Sequence, residues 1–186
     1  MRSSVRKGCG MKIWILLFAV VLQGLIFVID EYFHLKRSLG RFERVGHPID
    51  TLFTLLTLSI PMFLDFNGTN VTLFLISSLV SCLVVTKDEF VHHVLCDKWE
   101  QWLHALLFVL HPWLFVYSFF LWILNQPFWG KLVGNYIFVG ESDVLKLIVE
   151  TGTQSQFYLT LFVFMYQVVS WNLIYPLLQK FKPKHY

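Results

Sequence analysis

The sequence predicts an all-α integral membrane protein, a helical bundle of about five transmembrane helices. Of its 186 residues, 56% are hydrophobic and only 15% are charged, whereas soluble domains average about 25% charged residues. Five long stretches contain no Asp, Glu, Lys or Arg, and each can cross or nearly cross a hydrocarbon core that takes about 20 helical residues. This pattern excludes a soluble globule and a disordered chain, and a net charge of +3 gives no reason to expect nucleic acid as a partner.

The apolar stretches define the expected helices in order. We expect a single domain over residues 1–186, with spans at about 13–30, 48–65, 70–87, 101–124 and 156–178. Basic residues precede the first span, as in a signal peptide, but no small-x-small cleavage site follows it. We therefore expect this helix to be retained and not cleaved. Pro48 suits the first turn of the second helix, and Asn67-Gly68 predicts a tight turn before the third. The longest connection, 125–156, separates the last two spans.

Topology brings two polar segments of the sequence together. Because successive spans alternate in direction, the first four helices place an end on the same side of the membrane, near residues 30, 48, 87 and 101. Eight of the 12 acidic residues lie in the windows 30–50 and 88–100, and six of the seven histidines lie in or just after them. Ionisable groups at a membrane are costly and usually face a bundle interior, where they pair or bind something.

The acidic residues and histidines of these windows are spaced three or four positions apart, so each pair shares a helix face. The predicted metal ligands are Glu31, His34, His47, Asp50, Glu89, His92, His93, Glu100 and His104. Ligands from four converging helices would suffice for two metal ions and make this four-helix core a metal site. Because a helix turns by about 100° per residue, Asp30 can exchange with Glu31, Asp88 with Glu89, and His92 with His93.

Three more residues are candidates for catalysis. His111 lies seven residues after His104, about 10 Å deeper on nearly the same helix face, and is expected to support a ligand or to line a substrate channel. Glu43 and Asp97 are spare carboxylates in the same windows. Either can serve as a general base in a hydrolytic reaction.

Two motifs carry a resemblance to a known class of metalloprotein. Glu31-Tyr32-Phe33-His34 and Glu89-Phe90-Val91-His92 resemble the Glu-x-x-His motifs of ferritin-like di-iron carboxylate proteins. The additional histidines look closer to those of the histidine-rich membrane desaturases and hydroxylases, although the H-x-x-H-H box of that family is absent here. The resemblance implies two iron ions and a hydroxylase, oxygenase or desaturase that acts on a lipid or other hydrophobic substrate. The chain has no flavin or nicotinamide motif, so electrons would come from a separate donor.

Other functions fit the same residues. A zinc-dependent metallohydrolase would use the same ligands, with Glu43 or Asp97 as the base. A haem- or ion-handling protein needs histidines near the middle of the membrane, and only His111 is clearly deep. A non-catalytic subunit would use its polar helix ends to bind a partner protein.

The basic residues give an expectation for orientation. Nine of the 15 Lys and Arg residues fall on the side of the candidate ligands, which favours a cytoplasmic location for that side, although the basic N-terminal segment pulls the other way. The expected location is the bacterial inner membrane or the endoplasmic reticulum.

Overall fold

The computed structural model describes residues 10–36, 40–88, 97–127 and 143–177, and these segments are almost entirely helical, with no strand among them. The helices are α1 (Gly10–Lys36), α2 (Arg41–Phe63), α3 (Gly68–Val85), α4 (Lys98–Leu124) and α5 (Asp143–Gln167). A 3₁₀ turn (Thr86–Asp88) follows α3, and a π-helical segment (Val168–Ile174) continues α5. The prediction of an all-α bundle is confirmed.

Four segments are long and apolar enough to cross a membrane: Leu17–Lys36, Gly68–Val85, Lys98–Leu124 and Leu147–Leu177. The outward faces of these segments are apolar, since Phe18, Leu79 and Phe162 are 65%, 62% and 68% exposed. The protein is therefore an integral membrane helical bundle. The fifth helix, α2, carries its charged residues in its first half and three threonines at and just after its middle, and it packs against α3, α4 and α5.

The helix α2 begins earlier than the sequence suggested. It starts at Arg41, so Pro48 lies inside the helix and not in its first turn. A proline has no N–H, which leaves the carbonyl oxygen four residues earlier without its helical donor. That oxygen belongs to Arg44, and it accepts a hydrogen bond of 2.9 Å from the Asn172 side chain. The π-helical segment thereby compensates for Pro48.

The helix α5 also begins earlier, at Asp143, and passes through Gly152 without a break. The expected connection at 125–156 is therefore shorter than predicted. Gly152 lies where α5 approaches α4 closely: a Cβ added there would be 2.6 Å from Leu121 Cδ1 and 3.4 Å from the Tyr117 hydroxyl. Small residues at helix contacts are typical of membrane bundles because they let the backbones approach.

Helix ends are fixed by side-chain caps. The expected tight turn is present before α3, where Asn67 accepts a hydrogen bond of 2.9 Å from the Asn70 N–H and Asn70 donates one of 2.8 Å to the Asp65 carbonyl. At the start of α4, Asp97 accepts hydrogen bonds of 2.9 Å from the N–H groups of Trp99 and Glu100. Each of these caps satisfies backbone donors that a helix N-terminus leaves without a partner.

The apolar core fills one end of the bundle. One cluster joins α2, α3 and α4 and contains Leu58, Ile60, Phe74, Phe115 and Trp122. A second joins α4 to α5 through Tyr117, Leu121, Leu124 and Val149, with Leu17 and Val20 of α1 packed against it. Because α4 takes part in both clusters and α1 packs mainly on α4, α4 sets the position of α1. The opposite end of the bundle holds the polar side chains.

The close approach at Gly152 gives a prediction for stability. We expect Gly152→Val to lower the free energy of unfolding by about 1–3 kcal/mol, because the new side chain overlaps Leu121 and overpacks the contact. The matched control is Gly24→Val, since nothing lies within 4 Å of a Cβ at Gly24. Unfolding by SDS titration in detergent micelles, followed by circular dichroism, measures both. Equal stability of the two variants would contradict the close packing of α5 on α4.

Candidate metal centre

The polar ends of the helices meet at one end of the bundle, as the topology predicted. Lys87, in the turn after α3, forms an ion pair with Asp50 of α2, with Nζ 2.5 Å from Oδ1. The Tyr166 hydroxyl of α5 donates a hydrogen bond of 2.6 Å to Glu31 Oε1 of α1. The His34 ring of α1 lies 4.8 Å from the His47 ring of α2, centroid to centroid. His34 Nδ1, in the first polar window, also lies 3.6 Å from Glu100 Oε1, in the second. The described parts of the two windows are thus adjacent in space.

Three buried side chains form the Asp–His–His cluster, which consists of Asp30, His34 and His104. Asp30 Oδ2 lies 3.2 Å from His34 Nε2, and Asp30 Oδ1 lies 3.1 Å from His104 Nε2. The residues are 5%, 2% and 3% exposed. One ligand atom from each lies within 4.8 Å of the other two. Bonds of about 2.0–2.2 Å from one metal ion to nitrogen and oxygen place neighbouring ligand atoms roughly 3 Å apart. The two contacts of Asp30 are close to this spacing, and the three side chains are near enough to share one ion.

Helix geometry explains why Asp30 joins this cluster and Glu31 does not. At about 100° per residue, a residue four positions before His34 is displaced by roughly 40° around the helix, and one three positions before it by roughly 60° to the other side. The smaller displacement directs Asp30 to the face that α1 packs against α4, where His104 lies. Glu31 faces α5 and its carboxylate accepts the Tyr166 hydrogen bond.

Further titratable side chains surround the cluster. Glu100, one turn before His104 on α4, is 3% exposed, and its Oε1 lies 3.6 Å from His34 Nδ1. The rings of His34 and His104 lie 5.9 Å apart, centroid to centroid. A carboxylate beside the second nitrogen of a ligating imidazole is the usual arrangement that orients such a ring. Glu100 is therefore placed to position His34.

The cluster opens onto a cavity of about 490 Å³ between α1, α2, α4 and α5. Its walls are mostly apolar and include Phe27, Val28, Leu107, Phe108 and Leu159. The size falls in the range of cavities that hold small-molecule ligands, roughly 300–1,000 Å³. Such a cavity, polar at one end and apolar along its walls, suits a hydrophobic molecule with one end at the cluster.

The structure assigns structural contacts to three of the predicted site residues. Asp50 pairs with Lys87 on the α3 side of α2, although it also lines the cavity. Glu43 is fully buried and accepts a hydrogen bond of 3.1 Å from the Gly40 N–H at the start of α2. Asp97 caps α4. Acidic residues are favourable in these positions because a helix N-terminus carries unpaired N–H groups and a positive partial charge. Glu43 and Asp97 therefore have capping contacts, and their roles as bases stay predictions.

The other predicted residues divide into two groups. His34 and His104 are in the cluster, His47 and Glu100 are beside it, and His111 lines the cavity deeper along α4. Glu89, His92 and His93 lie outside the described residues, so their ligand roles stay predictions. The second metal ion that depends on them also stays a prediction.

Sequence reasoning missed several polar residues of the cavity, notably Gln23, Gln156 and Gln167, and Tyr166, which bonds to Glu31. A signal was present, because Gln23 is the one strongly polar side chain between Ile13 and Ile29. A polar group within an apolar span usually faces the bundle interior. Comparisons of the chain with models of known families, with curated proteins and with solved structures gave no match.

The ion pair of Lys87 with Asp50 gives a second prediction. The Lys87 side chain is 27% exposed and that of Asp50 is 11% exposed, so removal of one partner leaves a charge largely shielded from water. We expect Lys87→Met to destabilise the protein more than the double variant Asp50→Asn, Lys87→Met does. The coupling free energy from the double-mutant cycle should be about 1–3 kcal/mol. A coupling near zero, measured by the same SDS titration, would show that the pair contributes nothing to stability.

Proposed function

We propose that the protein is a membrane-embedded metal-dependent oxidoreductase, an oxygenase, hydroxylase or desaturase that uses non-haem iron and acts on a lipid or other hydrophobic substrate. One observation carries the proposal: two imidazoles and one carboxylate converge at an apolar cavity. Two histidines and one carboxylate are the ligand set of the non-haem iron oxygenases. This set leaves coordination positions of the iron open for other molecules. Iron bound there, with electrons from a separate donor, supplies the activation of dioxygen that oxidation of an unactivated carbon requires.

The charge of the cluster supports a cation at this position. Asp30 is buried, and its described contacts are to two imidazoles. An imidazole offsets the charge of a carboxylate only when the imidazole is protonated. A divalent ion offsets that charge while both imidazoles stay neutral and bind the ion. A carboxylate buried in a membrane protein is costly unless its charge is compensated. A bound metal ion would therefore remove the free-energy cost of burying the Asp30 charge.

The proposal includes two iron ions. Asp30, His34 and His104 would hold the first ion, and one carboxylate oxygen of Glu100 would orient His34. His47 and Glu100 lie beside the first site and are the available ligands for the second, together with the predicted ligands Glu89, His92 and His93. Mixed carboxylate and imidazole ligands suit such a pair because a carboxylate has two oxygens and can bridge two ions.

The cavity walls define what the chain itself contributes to the reaction. Apolar side chains of α1, α4 and α5 bind the hydrophobic substrate and exclude water from the reacting end. The cluster lies near one end of the bundle, where a separate electron donor on that side of the membrane can approach. We place this side in the cytoplasm because the alternation of the spans in the sequence assigns nine of the 15 basic residues to it.

Metal content tests the proposal directly. We expect protein purified in detergent and loaded anaerobically with Fe(II) to retain one or two irons per chain, and His104→Gln to weaken iron binding at least tenfold. His111→Gln is the matched control, a buried histidine on the same helix and in the same cavity, and it should retain the metal. Plasma mass spectrometry after desalting gives the stoichiometry.

The outcomes of this measurement separate the functions. Absence of bound metal in the wild type after loading would overturn the metal centre and the oxidoreductase together. Retention of zinc with no retention of iron would overturn the oxidoreductase in favour of a hydrolase, since zinc is not redox-active and a site of two histidines and one carboxylate also occurs in zinc peptidases.

An isosteric pair tests which acid of α1 is the ligand. We expect Asp30→Asn to weaken iron binding at least tenfold, because the amide loses the charge that binds the metal. Glu31→Gln should retain the metal within about twofold, since its side chain can still accept the Tyr166 hydrogen bond. Isothermal titration of the metal-free proteins with Fe(II) compares them. The opposite ranking would place Glu31 in the coordination sphere.

A further inference from the structure

The cavity reaches the outer surface of the bundle between α1 and α5, through a gap that we call the lateral opening. Its edges are Gly24 and Val28 of α1 and Leu159 and Phe162 of α5, which all line the cavity. Val28, Leu159 and Phe162 are also 65%, 63% and 68% exposed. A side chain that lines a cavity and is mostly exposed lies at the mouth of that cavity, so the cavity is continuous with the outside here.

Two contacts of α1 bound the lateral opening along the helix. Toward the polar end of the bundle, the Tyr166 hydroxyl donates a hydrogen bond of 2.6 Å to Glu31. Toward the opposite end, Leu17 and Val20 pack against the apolar cluster that contains Val149 of α5. The interval from Val20 to Glu31 is about 16 Å along α1 at 1.5 Å per residue. The lateral opening therefore lies in the middle of α1, and protein contacts hold α1 in place on both sides of it.

The missing side chain of Gly24 widens the lateral opening. Glycine commonly lies at helix contacts of membrane bundles because it lets two backbones approach, and Gly152 has this role against Leu121. At Gly24, by contrast, nothing among the described residues lies within 4 Å of an added Cβ. What Gly24 provides is therefore open space beside α1 and not a close helix contact.

The medium outside the lateral opening is the hydrocarbon of the bilayer. Both edges belong to segments that are long and apolar enough to cross a membrane, Leu17–Lys36 and Leu147–Leu177, and the outer surface of such a segment contacts lipid chains. The polar groups of Glu31 and Tyr166 at the border are hydrogen-bonded to each other. The described edges therefore match a hydrocarbon chain and not a polar headgroup.

We propose that a hydrocarbon chain of a bilayer lipid enters the cavity through the lateral opening, while the headgroup of that lipid stays at the membrane surface. Val28 lies two residues before Asp30, about 3 Å along the helix axis, so a chain in the opening passes near the level of the Asp–His–His cluster. The inference deepens the proposed function by naming the substrate as a lipid that stays in the bilayer. Only the approach of the chain to a metal rests on that function.

Photolabelling of the metal-free protein in phosphatidylcholine vesicles tests the inference. The probe is a phosphatidylcholine with a diazirine near the middle of one acyl chain, and mass spectrometry of the digested protein locates its adducts. We expect interior adducts on Thr54 and Phe108, which line the cavity on α2 and α4, and an outer adduct on Phe18, which is 65% exposed. Because the headgroup stays at the membrane surface, the chain must remain in the lateral opening as long as it occupies the cavity.

A side chain placed in the lateral opening should exclude the lipid chain. We expect Gly24→Phe to lower the interior adducts at least fivefold relative to the Phe18 adduct, because the new ring occupies the open space beside α1. Leu79→Phe is the matched control, the same side chain at an exposed position of α3 away from the cavity, and its adducts should equal those of the wild type. Should Gly24→Phe fail to fold, as judged by its unfolding midpoint, Val28→Trp is expected to lower the interior adducts at least threefold.

The outcomes distinguish this inference from the proposed function. Absence of interior adducts in a wild type that is labelled at Phe18 would overturn it and show that protein covers the lateral opening. Interior adducts that persist in Gly24→Phe would also overturn it, since the chain would then enter from the polar end. Interior adducts in a protein that retains no metal would support the lateral opening and reject the oxidoreductase, whereas iron retention without interior adducts would do the reverse.

Discussion

The contact of Asp30 with His34 and His104 is the constraint around which the rest of the structure is arranged. A buried carboxylate inside a membrane bundle is stable only where its charge is compensated. The imidazoles of His34 and His104 both lie within 3.2 Å of the Asp30 carboxylate. This arrangement requires one rotation of α1 about its axis where it packs against α4. That setting also directs Gln23, two turns earlier on α1, toward His111 of α4. The α1–α4 contact thus positions the polar side chains of α1 at both ends of the cavity.

The polar helix α2 completes the bundle because its neighbours cover it. Thr51 donates a hydrogen bond to Gln167 of α5, Thr54 lies 3.3 Å from Ser81 of α3, and Asp50 pairs with Lys87. Each contact gives a polar group a hydrogen-bonding or charged partner, which lipid chains cannot provide. An interior of this kind leaves room for a ligand, since threonine and serine side chains are short. The wall of the cavity opposite α1 is therefore formed by α2, the most polar of the helices.

The sequence predicted the helices and the meeting of their polar ends, because charge-free stretches and alternation of direction are properties of the whole chain that survive small errors in helix ends. It did not predict the rotation of α1, which separates Asp30 from Glu31 by about 100° and depends on packing against α4. Nor did it predict that Asp97 and Glu43 accept hydrogen bonds from backbone N–H groups. Their place in the polar windows suggested a site, and an acid that caps a helix N-terminus occupies the same place in the sequence.

Helix α4 links the two ends of the cavity. His104 and His111 are seven residues apart on nearly one face of this helix, so a tilt or rotation of α4 moves both together and leaves the distance between them at about 10 Å. Because His111 lines the cavity deeper along α4, the Asp–His–His cluster keeps a fixed distance from the deep end. Under the proposed function, a substrate seated in the cavity would present one part of its body to the metal. Fixed placement of a reacting group lowers the entropic part of a reaction barrier.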